Sequence, residues 1–132
     1  SQRVDLRGIV LKPSMVVPGK AGESKASADE VADATLKAFA EVVPAAVASI
    51  AFLSGGQTPV AATEHLQAMN ARGPHPWQVG FSYGRALQDD ALATWKGDSA
   101  NAEKAQQALA VRAKANAAAS QGQYDASHEP AA

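Results

Sequence analysis

Three short apolar runs, each followed by helical sequence, constrain the fold of this chain more than any other feature. The runs lie at residues 8–11, 48–53 and 77–83. A near-continuous apolar run is typical of a strand that is buried on both faces. Strands and helices that alternate at a spacing of roughly 30 residues are typical of βαβ units with a parallel sheet. The sequence therefore predicts an α/β fold with three parallel strands.

The first helix has clear start and stop signals. Ser27 and Glu30 form a capping box, in which each side chain bonds a free backbone N–H group of the first turn. Pro44 is expected to end the helix. Small and apolar side chains that recur every three or four positions predict its buried face: Val31, Ala34, Thr35, Ala38 and Val42.

The later helices are marked in a similar way. Thr58 and Pro59 are typical of an N-cap followed by the first helical position, so a second helix is expected to run as far as Asn70. Further helical sequence covers residues 86–95 and 101–119, and the last segment is rich in alanine.

Charge and composition exclude several classes of protein. The 12 Lys and Arg residues against 13 Asp and Glu residues give a formal net charge of −1. This balance lacks the concentrated positive field that a nucleic acid or an anionic membrane requires. The absence of cysteine excludes a disulfide scaffold and a thiolate metal site. No apolar run is long enough to cross a membrane, and no secretory signal is visible. We expect a soluble, cytoplasmic protein with neither a nucleic acid nor a membrane as partner.

The small number of strands predicts that further strands, from another chain or from a longer protein, complete the sheet. Three strands cannot close a barrel, and an open three-stranded sheet would expose two long apolar edges, which favour aggregation. The chain also opens at Ser1 and not at a methionine. We therefore expect a homo-oligomer, or a longer protein in which a missing N-terminal part supplies further strands.

Candidate chemistry lies just after the apolar runs, because ligands of α/β proteins bind at the carboxyl ends of the strands. Lys12 follows the first run, between Leu11 and Pro13. Partial desolvation there would favour the neutral amine, which is nucleophilic toward a carbonyl group. The alternative is a lysine whose ammonium group extends to water at the rim of the sheet.

The other two strand ends carry glycines that suit a phosphate. Ser54 and Gly55 precede the second helix, where free backbone N–H groups and the helix dipole favour an anion. Gly84 and Arg85 follow the third run, and a guanidinium group can bond two phosphate oxygens. A plain tight turn and a surface arginine are the alternatives. Together with Lys12, these residues suggest Schiff-base chemistry on a sugar phosphate.

Six segments resemble class I fructose-1,6-bisphosphate aldolases, and together they cover nearly the whole chain. Their order and spacing match the family as well. The segments are Val10–Val16, Val43–Val47, Phe52–Gln57, Phe81–Gln88, Arg112–Asn116 and Gly122–Tyr124.

The resemblance implies a (β/α)8 TIM barrel, of which this chain supplies the last three βα units and the C-terminal helix. Residues 1–122 would form this part of the barrel, and residues 123–132 a flexible tail. Lys12 aligns with the lysine that forms the imine with dihydroxyacetone phosphate. The residues aligned with the phosphate site are Ser54, Gly55, Gly84 and Arg85, and those aligned with the surrounding pocket are Leu53, Ser82 and Tyr83.

The implied reaction is the reversible cleavage of fructose 1,6-bisphosphate to dihydroxyacetone phosphate and glyceraldehyde 3-phosphate in glycolysis and gluconeogenesis. The imine acts as the electron sink, and no cofactor or metal is needed. The three dispersed histidines, His65, His75 and His128, agree with a site without metal and are expected on the surface or in loops.

Two departures from the family pattern bear on activity. The family's other active-site acids and lysines belong to earlier strands, which this chain lacks, and the tail has no terminal tyrosine. The isolated chain is therefore expected to be inactive without the missing strands. The alternative function is a catalytically incomplete module that binds a sugar phosphate or serves a structural purpose.

Overall fold

The computed structural model describes residues 2–19, 21–22 and 25–130. These residues form three strands, which we label β1 to β3, and four α-helices, α1 to α4. Their bounds, in chain order, are β1 Val10–Leu11, α1 Ala28–Val42, β2 Ser49–Phe52, α2 Pro59–Ala71, β3 Gln78–Phe81, α3 Arg85–Trp95 and α4 Ala102–Ser120. Short 3-10 helices cover Leu6–Gly8, Ser99–Asn101 and Ala126–His128.

The strands form one parallel sheet in the order β1-β2-β3, as the sequence predicts. Leu11 pairs with Ile50, and Ile50 pairs with Val79, so that one row of side chains crosses all three strands. Because consecutive strands are neighbours and parallel, their carboxyl ends lie at one edge of the sheet. The predicted start of the first strand is wrong, since Gly8 lies in a 3-10 helix and β1 begins at Val10.

The two faces of the sheet differ in burial. Ile50, Phe52 and Val79 lie on the face that packs against the helices, and each is nearly inaccessible to water. On the opposite face Val10 is 57% exposed. The expectation that the first strand is buried on both faces is therefore wrong, because none of the described residues covers this second face. We refer to it as the open face.

Helix α1 begins where the capping box predicts. Ser27 Oγ accepts a hydrogen bond from the Glu30 N–H group at 3.2 Å, and Glu30 Oε2 accepts one from the Ser27 N–H group at 2.8 Å. The predicted buried face is only partly correct. Val31 and Thr35 are buried, whereas Ala34 and Val42 are exposed. Ala32 is buried as well, and α1 packs against α2.

The core lies between the sheet and the helices. Phe52 stacks on Phe39 of α1 with ring centroids 5.4 Å apart, while Leu66 and Met69 of α2 are fully buried behind the sheet. Alanines fill the closest contacts, and Ala119 of α4 is inaccessible to water. Among the described residues, no helix is long and apolar enough to cross a membrane.

Candidate active site

Three chain segments leave the sheet side by side at its carboxyl edge. The Leu53 N–H group donates to the Pro13 carbonyl oxygen at 2.8 Å, which continues the pairing of β1 and β2 beyond the assigned strands. The Ser82 N–H group donates to the Phe52 carbonyl oxygen at 2.8 Å and does the same for β2 and β3. The loops that carry the three predicted groups of site residues therefore start from adjacent positions.

Lys12 lies on this edge but is exposed. The prediction of a partly desolvated lysine is wrong for this chain as it stands. The physical reason is its place in the sheet: β1 is an edge strand, and Lys12 projects from the open face, where none of the described residues covers it. The alternative of a lysine that extends to water at the rim describes the observed position.

The second strand ends in a tight turn built on two glycines. Gly55 and Gly56 have φ angles of +58° and +87°, which a residue with a Cβ rarely adopts. The Gln57 N–H group closes the turn on the Ser54 carbonyl oxygen at 3.0 Å. Ser54 is buried and Gly55 is exposed. The turn therefore presents bare backbone to the solvent at the start of α2, which an anion could approach.

The third strand ends at a helix start that has no side-chain cap. The N-cap of α3 is Gly84, which has no side chain that could accept a hydrogen bond from the first turn. By contrast, Thr58 Oγ1 caps α2 by accepting a hydrogen bond from the Ala61 N–H group at 3.3 Å. Arg85 is exposed and forms no side-chain hydrogen bond or ion pair with any residue that the structure describes. Free N–H groups and a free guanidinium group thus lie together at the first turn of α3.

The three predicted pocket residues divide between the two faces of the sheet. Leu53 is 37% exposed, and Ser82 is half-buried. Tyr83 is buried in the core, where its hydroxyl donates to the Ala62 carbonyl oxygen at 2.7 Å and its burial raises the pKa of the phenol. Only the backbone of Tyr83 can therefore face a ligand at the carboxyl edge, and its place in the pocket stays a prediction.

Two hydrogen bonds of the Gln57 side chain, which the sequence did not predict, join the loop after β1 to α2. The Gln57 side chain donates to Met15 Sδ at 3.6 Å and accepts a hydrogen bond from His65 Nδ1. His65 is half-buried, and its burial lowers the pKa of the imidazole. The expectation of surface or loop histidines is wrong here, because His65 lies on α2, is half-buried and is bonded to the Gln57 side chain just before that helix.

The other two histidines are also bonded within the fold. His75 lies 2.6 Å from the Met69 carbonyl oxygen, and His128 is half-buried beside Asp125. In the part of the chain that the structure describes, no group of three or more His, Asp or Glu side chains is placed to hold a metal ion.

A groove of about 520 Å³ lies away from the predicted site residues. Residues of both β2 and β3 line it, among them Ala51, Gly80 and Phe81, together with Asn70 of α2 and Ser120 of α4. Lys12 and the glycine turns do not line it. The groove is therefore separate from the predicted site residues.

Comparisons of the sequence and of the structure with known proteins identify the same family. The family model for class-I fructose-bisphosphate aldolase matches residues 1–132. A chloroplastic fructose-bisphosphate aldolase of rice is 51% identical over 128 residues, which are 97% of this chain and 33% of the relative. A chloroplastic aldolase of Arabidopsis thaliana is 52% identical over 96% of this chain and 32% of its own length.

A solved structure agrees with these relatives. Fructose-bisphosphate aldolase from Plasmodium falciparum, crystallised with TRAP and a small-molecule inhibitor, is 43% identical, with a TM-score of 0.89. The match covers 93% of this chain and 35% of that chain. The chain thus spans about a third of the length of the relatives that it matches.

The cytoplasmic location expected from the sequence is wrong by these comparisons. Relatives from rice, Chlamydomonas reinhardtii and Arabidopsis thaliana are named as chloroplastic. Composition and charge do not specify a compartment, because proteins of similar composition can be directed to different compartments by short removable segments.

The resemblance of the six segments is confirmed by a match over every residue, by relatives of about half identity and by a closely superposable structure. The chain therefore belongs to the class I fructose-bisphosphate aldolase family.

Proposed function

We propose that residues 1–122 supply the last three βα units and the C-terminal helix of a (β/α)8 barrel, and that residues 123–132 form its tail. Two features support this. Among the described residues, both outer strands of the sheet have a free edge, at which further strands could pair. The open face, where Val10 is 57% exposed, would become the interior of the barrel. The remaining strands would come from the missing N-terminal part or from another chain.

Within such a barrel the chain would contribute the imine-forming lysine of a Schiff-base aldolase. The Lys12 amine adds to the C2 carbonyl of fructose 1,6-bisphosphate, and loss of water gives a protonated imine. The C3–C4 bond then breaks, its electron pair moves into the imine, and glyceraldehyde 3-phosphate leaves. Protonation of the resulting enamine and hydrolysis release dihydroxyacetone phosphate. No cofactor takes part in this sequence of steps.

The C1 phosphate of the substrate would bind where two strand ends converge. Ser54 and Gly55 offer a turn of bare backbone, and Gly84 and Arg85 offer free N–H groups and a guanidinium group at the uncapped start of α3. Leu53, Ser82 and Tyr83 complete the proposed pocket.

One observation carries the proposal more than any other. The loop after β1 and the turn after β2 touch at the carboxyl edge, since the Leu53 N–H group bonds the Pro13 carbonyl oxygen and the Gly55 turn lies against Ser14. This contact supports the proposal that the Lys12 amine and the backbone of the Gly55 turn act on the same small ligand. The activity further requires a general acid and base, for which the missing strands are the proposed source. The chain alone would then be a catalytically incomplete sugar-phosphate-binding module.

Reductive trapping tests the role of Lys12. Dihydroxyacetone phosphate and sodium borohydride should fix the mass of the reduced ligand on Lys12 in the assembled barrel, by which we mean this chain together with the segment that supplies the other strands. The isolated chain, in which Lys12 is exposed, should react far more slowly. Lys104→Met, at an exposed position on α4, is the matched control and should be labelled like the parent. Labelling that persists in Lys12→Met would exclude Lys12 as the imine-forming residue.

A second variant tests the phosphate site. Arg85→Ala removes a charge-assisted hydrogen bond and should weaken binding of dihydroxyacetone phosphate by roughly 1.5–3 kcal/mol. Unchanged affinity, measured by isothermal titration, would show that Arg85 is a surface residue.

A further inference from the structure

The Ser14 side chain shares the open face of β1 with Lys12. Because the Pro13 carbonyl oxygen still accepts a hydrogen bond from β2, the backbone remains extended past Leu11. Side chains two positions apart on an extended strand point to the same side. The burial pattern agrees: Lys12 and Ser14 are exposed, whereas Pro13 between them is half-buried and Met15 is buried.

The same serine lies beside the glycine turn of β2. A Cβ atom added to Gly55 would lie 3.8 Å from Ser14 Oγ. Gly55 has no Cβ, so the space between its backbone and the serine hydroxyl is open. The Ser14 hydroxyl forms no hydrogen bond with residues 2–19, 21–22 or 25–130, so it is free to bond a ligand there. Ser14 lies within the Val10–Val16 segment that resembles the family, but no binding role is assigned to it from the sequence; its two-residue spacing from Lys12 is the signal that could have drawn attention to it.

We propose that Ser14 is a phosphate-binding residue, whose hydroxyl donates a hydrogen bond to the phosphate of the ketose that reacts with Lys12. This inference rests on the proposed function. Two residues of extended strand span roughly 7 Å, and in a ketose phosphate a single methylene group separates the carbonyl carbon from the phosphate ester. One ligand can therefore reach the lysine amine and the serine hydroxyl together. Ser14 would thus favour phosphorylated ketoses over unphosphorylated ones.

Trapping kinetics in the assembled barrel test this role. With borohydride present, Ser14→Ala should raise the dihydroxyacetone phosphate concentration that half-saturates labelling of Lys12 by roughly 10- to 150-fold, the effect of one hydrogen bond to a charged group. The maximal labelling rate should not change, because Lys12 is untouched. Labelling by unphosphorylated dihydroxyacetone should be the same in parent and variant.

Two further variants separate the hydroxyl from the shape of the loop. Ser14→Thr keeps a hydroxyl on a backbone that suits a β-branched residue, and it should restore half-saturation close to that of the parent. Ser49→Ala, which removes a serine from the opposite end of β2, is the control and should behave like the parent.

The outcomes distinguish this inference from the proposed function. Equal half-saturation in the parent and Ser14→Ala would overturn the role of Ser14 while leaving Lys12 chemistry in place. A threonine variant as weak as the alanine variant would also overturn it, because the hydroxyl would then not be responsible. Absence of any adduct on Lys12 of the parent would overturn the proposed function, and the role of Ser14 with it.

Discussion

At the scale of single residues, backbone conformation and exposure decide what the candidate site can bind. Gly55 has a φ of +58° and lies against Ser14 without a side chain of its own. Glycine at this position therefore has two effects. It adopts the left-handed conformation of the turn without strain, and its lack of a Cβ leaves space beside Ser14 that a phosphate oxygen would occupy.

Replacement of Gly55 by alanine should lower both stability and ligand affinity. The left-handed conformation costs a residue with a Cβ roughly 1–2 kcal/mol, and the added methyl group would fill the gap beside Ser14. Gly97→Ala is the matched control, because Gly97 has a φ of +76° and open space around it. Both variants should unfold at lower urea concentration, but only Gly55→Ala should lose affinity for dihydroxyacetone phosphate. Equal affinity in the two variants would mean that the turn is structural.

The position of Lys12 was predictable from the sequence, but its exposure to solvent was not. Its position after an apolar strand was readable from the sequence, and so was the neighbouring pattern of glycines. Its exposure was not, because burial of a residue on an edge strand depends on what lies beside that strand.

At the scale of helices and strands, local signals were predicted well. The capping box at Ser27, the Thr58 cap with Pro59, and the ends of α2, α3 and α4 fall within about two residues of the predicted positions. Each of these signals acts between residues a few positions apart. It therefore does not depend on what the helix packs against. The buried face of α1 was predicted less well, since it depends on how α1 lies against α2.

Removal of the Ser27 hydroxyl should weaken α1 without affecting the site. Ser27→Ala loses the bond to the Glu30 N–H group and should cost about 1 kcal/mol of unfolding free energy. Ser27→Asp, which keeps an N-cap acceptor, should unfold at nearly the urea concentration of the parent. If alanine were as stable as aspartate, the cap would contribute nothing measurable. Reaction of Lys12 with ligand should be equal in all three proteins.

At the scale of the whole molecule, the segment after α4 is joined to the helices by a buried ion pair. Arg112 Nη1 and Nη2 donate to Glu129 Oε1 and Oε2 at 2.8 and 2.7 Å, and the Tyr124 hydroxyl also donates to Oε1 at 2.8 Å. The Arg112 side chain is only 4% exposed. The same Nη1 donates to Thr63 Oγ1 at 3.1 Å, so the pair also reaches α2. The predicted flexibility of residues 123–132 stays a prediction.

Loss of the Glu129 charge should destabilise the fold at neutral pH. Among the residues that the structure describes, Glu129→Gln leaves the buried Arg112 guanidinium with Asp90, at 3.7 Å, as its one remaining charged partner. Breaking a fully buried pair costs about 3–5 kcal/mol. Because Glu129 is partly exposed, we expect roughly 2–3 kcal/mol, measured by urea unfolding. Asp125→Asn, on the same segment, is the control and should change stability little, because the Asp125 side chain is 70% exposed and an asparagine oxygen can still accept the hydrogen bond from the Ser127 N–H group.

The effect of Glu129→Gln should also depend on pH. The hydrogen bonds from Arg112 hold the pKa of Glu129 below its ordinary value of 4.5. A lowered pKa in the folded state stabilises the protein fully above 4.5, and this contribution is lost as the pH falls through the folded-state value. The difference in unfolding free energy between the parent and Glu129→Gln should therefore become smaller from pH 7 to pH 3.5. A constant gap would show that the charge of Glu129 is not what stabilises the segment.

The sequence by itself determined the three strands, the helix starts and stops, the family and the residue types at each strand end, because these depend on short-range periodicity, capping and motif order. Only the tertiary structure decided that Lys12 faces solvent, that Tyr83 points into the core and that Ser14 lies against Gly55. It also revealed the ion pair between Arg112 and Glu129. Burial and contact between residues far apart in the chain depend on which faces meet, and local sequence patterns do not specify that.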